Sequence, residues 1–561
     1  MFSSSRFILP LLIFLCLLCC FFKPLQKADR IYIHTRIWTG DHENPWAEAI
    51  AISGNKILFV GKTYQPFVSE KTVIIDLHQK LMVPGFIDNH THFLAGGYSL
   101  ANLNLHPATT IQSFIVLFKT FIITHDGNKS DTRWIENGNW DNELWGGELP
   151  RKEWIDSISF NHPVFIKRYD IHMGLANSLA LKLAHITRNT PDPTGGQILK
   201  DKLTGEPTGI LKDNAMSLVL DIIPTPDKKQ LDHYLNLALK EASSHGLTGV
   251  NDMSSFGGWA DLATYQRAHL STKLPLRIYS FVPILSWKKL RDYIKVNGRG
   301  DQLLHWGGLK AFVDGSLGST TAWLNKPYLD APNTTGLQTT DTILLKQLVI
   351  KADSAGLQVA SHAIGDKAND FILNIYKEVE EKTGNNRQRF RIEHAQHLTA
   401  SAIPKFASLH VIASMQPYHL IDDGKWAGKR LDSMRLMTSY AFNSLIHAGA
   451  TVTFGSDWTV APLEPLKGIY AAVTRRTLDK KNPAGWYPAQ KITVEQALIC
   501  YTASNAYAGF QEKLVGKLKA GMLADMVVLS ADLFKIRPDK IAETQVLRTI
   551  CDGNEVFKVK D

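Results

Sequence analysis

The sequence predicts an α/β protein: a (β/α)8 TIM barrel, a small β-sandwich domain formed from both chain ends, and an insert after the first barrel strand. Three observations lead there. The centre of the chain alternates short apolar strands with helical patterns, which marks βα units and a parallel sheet. Eight such strands can be counted, the number that closes a barrel. Strand-rich stretches flank this centre at both ends, and about 150 residues separate the first two barrel strands, far more than one crossover helix needs.

Residues 1–27 precede the folded part. Within them, 7–22 read FILPLLIFLCLLCCFF between Arg6 and Lys23. That run is short for a spanning helix and long for the apolar part of a signal peptide. No small-residue cleavage site follows it, so an uncleaved anchor is favoured over a cleaved signal. More positive charge follows the run than precedes it, which leans toward a cytosolic body on an endomembrane, the ER or perinuclear membrane. The alternative is a secreted or lumenal protein; Asn128 and Asn333 head sequons that would suit it. Asn89 heads a third, at an active-site strand end where a glycan would not fit.

Residues 28–82 and 515–561 alternate apolar and polar positions around turns such as Ser53-Gly54-Asn55, and together form the predicted sandwich. Residues 83–514 carry the barrel. Its strands are read as LMVPGFID, LTGVNDM, LRIYSFVPI, GGLKAFVDG, GLQVASHA, FRIEHAQ, HVIASMQP and ATVTFGSD. The insert occupies about 100–245 and is rich in tryptophan: Trp134, Trp140, Trp145 and Trp154.

Composition excludes several classes. Hydrophobic residues make up 44% and charged residues 20%, enough for a large core and too apolar for disorder. The net charge of +9 is spread out, with no basic run interleaved with aromatics, so nucleic acid is not an expected partner. Of five cysteines only Cys500 and Cys551 lie in the folded part, so neither a disulfide framework nor a CxxC zinc site can be built. No GxSxG elbow is present either.

The chemistry lies at the strand ends. His90 and His92 stand two apart after an apolar run, and on a strand such residues share a face, so both imidazoles can reach one ion. His362, His394 and Asp457 each end a later strand. In a barrel those ends share one mouth, so the five groups converge. Lys310 sits mid-strand among apolar neighbours, where a bare ammonium is costly. Either it pairs with Asp314, four residues on and on the same face, or CO2 adds to the amine and the resulting carbamate binds cations.

The ordered set His90, His92, Lys310, His362, His394 and Asp457 resembles the amidohydrolase superfamily. The phrases GFIDNHTHF, LKAFVDGSLGSTTA, SHAIGDKAND, RIEHAQ and FGSDW are similar to the amidohydrolase-3 branch that includes N-substituted formamide deformylases. NGNWD and GGQILKDKLTGEPTGIL in the insert fit that branch, and the apolar leader resembles its plant members. The resemblance implies a hydrolase of non-peptide C–N bonds with two divalent ions, zinc favoured because imidazole and carboxylate suit it. It implies that His90 and His92 hold the buried ion and His362 and His394 the exposed one, with carboxylated Lys310 between them. A hydroxide shared by the ions would attack the carbonyl, and Asp457 would bind metal and carry the proton. Trp140, Asp141, His172 and Trp323 are expected to meet a small amide substrate, and Asp366, with Asp314, to orient the ligands from behind. A homodimer stays open. The competing reading is a membrane-tethered regulatory protein of light-signalling type on the same scaffold.

Overall fold

The computed structural model describes residues 25–560, apart from 126–132, 160, 170–172, 194–195, 273, 319 and 385–386. Eight strands form the central sheet: β1 (Phe86–Thr91), β2 (Leu247–Asp252), β3 (Arg277–Pro283), β4 (Leu304–Phe312), β5 (Gln358–Ala363), β6 (Arg391–His394), β7 (Ile412–Met415) and β8 (Val452–Phe454). They lie in chain order, each parallel to the next. Seven match strands read from the sequence, and β1 covers only the end of the stretch read as LMVPGFID.

The ring closes between β1 and β8. Thr91 bridges Trp458, and His92 N–H donates to Trp458 O at 2.8 Å. Asn505, on the helix Ala503–Ala508, donates through Nδ2 to Phe454 O at 2.8 Å and to Ile87 O. One buried amide thus satisfies backbone on both sides of the seam, which no ladder partner does there. Register sets the strand ends level: Phe312 lies opposite His362, and Ala363 opposite His394.

The first strand read from sequence, LMVPGFID, is in fact two. Leu81–Pro84 joins a six-stranded sheet of the terminal domain, pairing with Arg36–Trp38 and Met526–Leu529. Gly85 makes the change of sheet; a Cβ there would lie 2.2 Å from Thr248 Oγ1 on β2. A four-stranded sheet, from Arg30–Ile33, Ala49–Ser53, Lys56–Gly61 and Val73–Asp76, packs over the six-stranded one. Tyr32, Ile50 and Ile52 of the first share a buried core with Met82, Met526 and Ile550 of the second, which makes the sandwich. Arg277 at the base of β3 binds both carboxylate oxygens of Asp525, at 2.7 and 2.8 Å, and also Asp552, so the sandwich is keyed to the barrel floor.

The insert is a six-stranded sheet of its own, running from Leu103–Asn104 to Pro207–Asp213, covered by the helix Ile111–His125. It ends earlier than expected. The helix Lys228–Ser244 belongs to the barrel, because Leu231, Leu235, Ala238 and Ala242 recur at helical spacing and bury into the barrel core. Among the described residues no helix is long and apolar enough to cross a membrane, and the segment 7–22 lies outside them.

Candidate active site

At the mouth of the barrel, β1 delivers His90 and His92. Both Nε2 atoms lie 3.4 Å from Asp457 Oδ1. The rings of His90 and His394 have centroids 5.0 Å apart, and those of His362 and His394 4.5 Å apart. Lys310 Nζ is 3.5 Å from His90 Nε2. The structure therefore brings the five strand-end groups and Lys310 together.

The back of each ring is fixed by an acceptor. His90 Nδ1 meets Glu393 Oε2 at 2.6 Å, His92 Nδ1 meets Ser254 O at 2.6 Å, and His394 Nδ1 meets Gln416 Oε1 at 2.8 Å. His362 is turned the other way, with Nε2 on Gly315 O at 3.0 Å. The tautomers follow from these partners: the nitrogen facing an acceptor carries the proton, and the other presents a lone pair. Burial holds all four imidazoles neutral, His92 near 4 and His362 near 3, with His90 and His394 well below the usual value; the Lys310 cation pushes the same way. Lone pairs gathered in one buried space cannot hydrogen-bond to one another. A proton, a cation or a hydrogen-bond donor such as water satisfies them; burial disfavours the proton, and a cation serves several converging lone pairs at once.

Lys310 is 4% exposed and has no ion pair among the described residues. Burial brings its amine down to about 8, against the opposing pull of Glu393 and Asp457. Asp314 does not pair with it. That carboxylate accepts the N–H groups of Trp323, Ile364 and Gly365 at 2.8–3.0 Å and stands 3.7 Å from His362 Nε2. Asp457 is lifted to about 7, chiefly by burial, with Lys310 pulling it down; a divalent cation beside it would hold the carboxylate ionised.

Backbone strain marks the same places. His394, Asp457 and Ser254 are non-glycine residues at φ +73°, +58° and +70°. Each costs on the order of 1–3 kcal/mol, which packing around them must offset. Gly455 permits the last turn, since a Cβ there would stand 2.5 Å from His90 N. Asp88 holds that turn down by accepting Ser456 N–H at 3.0 Å and His90 N–H at 3.1 Å.

The residues expected on the substrate side are mostly engaged within the protein. Trp140 is fully buried in the core of the insert, with its indole N–H on Ile166 O at 2.9 Å, so it meets no substrate. Trp323 packs against Phe371 with Lys367 above its ring, both on the helix Asp366–Thr383, and its backbone N–H is on Asp314 at 2.8 Å. Asp141 is paired with Arg168 at 3.0 Å within the insert. His172 lies outside the described residues. Asp366 does not orient His362; its Oδ1 accepts Asn325 and Lys367 N–H groups, and Gly315 O takes the role assigned to it. An aromatic absent from the sequence reading does reach the mouth: Phe312, 45% exposed, 5.4 Å from the His362 ring and 5.0 Å from Lys310 Nζ.

Sequence reasoning also missed the buried network behind His90. Arg391 Nε donates to Glu393 Oε1 at 2.7 Å, and Ser414 Oγ to Glu393 Oε2 at 2.6 Å. A carboxylate so held behind a histidine fixes the ring and strengthens it as a donor. Glu393→Gln should therefore weaken divalent-metal binding by about 10–100-fold, read by competition with a chromogenic chelator. Affinity within threefold of the parent would remove Glu393 from this account.

Residues 73–557 match the model of the amidohydrolase family. The chain belongs to that family. Protein LONG AFTER FAR-RED 3 of Arabidopsis thaliana is 40% identical over 544 residues, covering 94% of this chain and 92% of that one. N-substituted formamide deformylase of Arthrobacter pascens is 26% identical over 552 residues, covering 94% and 98%. Among solved structures, an uncharacterized metal-dependent hydrolase from Pyrococcus horikoshii is similar with a TM-score of 0.74 and 28% identity, over 91% of this chain and 99% of that one. This amidohydrolase thus carries a metal-capable site where its fold places one, in two groups: His90, His92 and Asp457, and His394, His419 and Asp457.

Proposed function

We propose that this amidohydrolase hydrolyses a non-peptide C–N bond, of the formamide or simple amide type, with two divalent ions, zinc favoured, held among His90, His92, Lys310, His362, His394 and Asp457. The observation that carries the reading is the set of neutral imidazole lone pairs turned into one buried space beside two groups, Asp457 and Lys310, whose charged forms burial opposes. Ions bound there supply a water of lowered pKa and a Lewis acid for the carbonyl.

The chain's own residues do the rest. Asp457 Oδ1 lies between the His90 and His92 nitrogens, placed to accept the proton of the attacking water and return it to the leaving nitrogen. Lys310, whose basicity burial lowers, first gives up its ammonium proton; CO2 then bonds to the free Nζ with release of a second proton, and an anion replaces a cation between the two histidine pairs. Glu393 and Gln416 keep the rings from turning. Phe312 offers the substrate an apolar wall at the mouth. Residues 1–27 would anchor this body to an endomembrane.

Similarity to N-substituted formamide deformylase favours N-formyl amines as the first substrates to try. The purified chain should release formate from at least one of a set of N-formyl and N-acyl amines. It should lose that activity on dialysis against a chelator and regain it with zinc, cobalt or manganese. Turnover unaffected by chelation would overturn the reading. The 40% identity to LONG AFTER FAR-RED 3 supports the alternative of a regulatory protein on this scaffold. Normal biological performance by an Asp457→Asn chain would favour that alternative.

A further inference from the structure

Outside these six groups, His419 is the histidine, among the described residues, with an unpartnered buried nitrogen that also groups with His394 and Asp457. His419 sits in the helix Pro417–Asp423, which starts directly after β7. Its Nε2 is buried and has no hydrogen-bond partner among the described residues. A buried imidazole nitrogen left unsatisfied costs free energy comparable to a lost hydrogen bond, so it calls for a ligand. Its ring lies nearly parallel to that of His394, 14° between planes, with centroids 6.3 Å apart. The ligand atoms of His394, His419 and Asp457 lie within 4.8 Å of one another.

We infer that His419 is a direct ligand of the outer ion, joining His394 and Asp457. The inference rests on the dinuclear reading above and adds a residue to it. The geometry has a consequence for Asp457. It stands in both three-donor groups, with His90 and His92 on one side and His394 and His419 on the other, so it faces both ion positions. Donors at about 2.1 Å on one tetrahedral ion stand about 3.4 Å apart, and this group lies within 4.8 Å, so closing it takes a shift of at most about 1.4 Å. His419 is carried on a helix of a single β–α connection, and a rotation of its ring provides that shift. His305 and His269 also carry a buried Nδ1 without a partner among the described residues, so the missing bond alone does not make a ligand; of the three, His419 is the one grouped with His394 and Asp457.

The test is metal titration of the full chain with cobalt(II), followed by visible absorption and by chelator competition, for the parent, His419→Ala and His419→Gln. The parent should bind two ions. The variants should keep the tighter ion and bind the other about 100-fold more weakly, the top of the range seen on losing a supporting partner, with a changed cobalt spectrum. Two ions held by both variants with affinities within threefold of the parent would overturn the inference while leaving the dinuclear reading intact. A parent that binds fewer than two ions would sink the dinuclear reading itself. A crystal of the cobalt-loaded parent decides the matter without any variant: His419 Nε2 within about 2.3 Å of an ion supports the assignment, and more than about 3 Å refutes it.

Discussion

Asp457→Asn should lower kcat by about 10²–10⁴-fold, the range for a positioned proton carrier, with a smaller change in KM. The amide keeps the shape of the carboxyl but accepts no proton at the position between the His90 and His92 nitrogens. The metal-free fold should tolerate it. Burial already disfavours the Asp457 charge, raising its carboxyl to about 7, so a neutral side chain relieves a cost rather than adding one. The check is steady-state kinetics beside a thermal melt of the metal-free proteins. Retention of more than a tenth of the parent kcat would show that another group carries the proton.

Lys310→Ala should cost about 10²-fold or more in turnover and the same order in binding of at least one ion. Unlike a simple truncation, the loss should be partly restored by millimolar acetate or propionate, because the vacated space then admits a free carboxylate between the histidine pairs. Lys310→Arg should not be restored, since its guanidinium fills the space and stays cationic. The measurement is hydrolysis rate against added carboxylate. Equal response of parent and Lys310→Ala to the acid would contradict a carboxylated lysine.

The barrel was legible because its signals are local. Each strand is a short apolar run, and each ends on a residue whose polarity breaks the run: His90, His362, His394, Asp457. The two-residue spacing of His90 and His92 did place both nitrogens on one carboxylate. The supporting residues were hidden by the same logic. Glu393 and His394 are adjacent, so alternation alone would send them to opposite faces; both serve the site because His394 turns into left-handed backbone. His419 escaped because it lies past its strand, two residues into a helix, where strand periodicity says nothing. The sign was there in MQPYHL, a proline at the first helical position followed by histidine within the first turn.

Substrate contacts were the least legible. A tryptophan beside a turn reads equally as a binding wall or as core, and Trp140 proved to be core, with its indole N–H satisfied inside the insert. Phe312 looked like one more apolar strand residue. Its position two beyond Lys310, at the end of β4, puts its ring above the site instead. The boundary of the insert failed for a different reason: the helix Lys228–Ser244 follows the insert in sequence but packs on the barrel, and only its spaced Leu231 and Leu235 say so.

The claim beneath all of this is that the gathered lone pairs exist to hold two cations. Elemental analysis of the purified full chain, by mass spectrometry of the metals against protein concentration, tests it most directly. Close to two divalent ions per chain, removed together with activity by a chelator, is the predicted result. Fewer than one ion per chain after incubation with excess zinc and bicarbonate would contradict it.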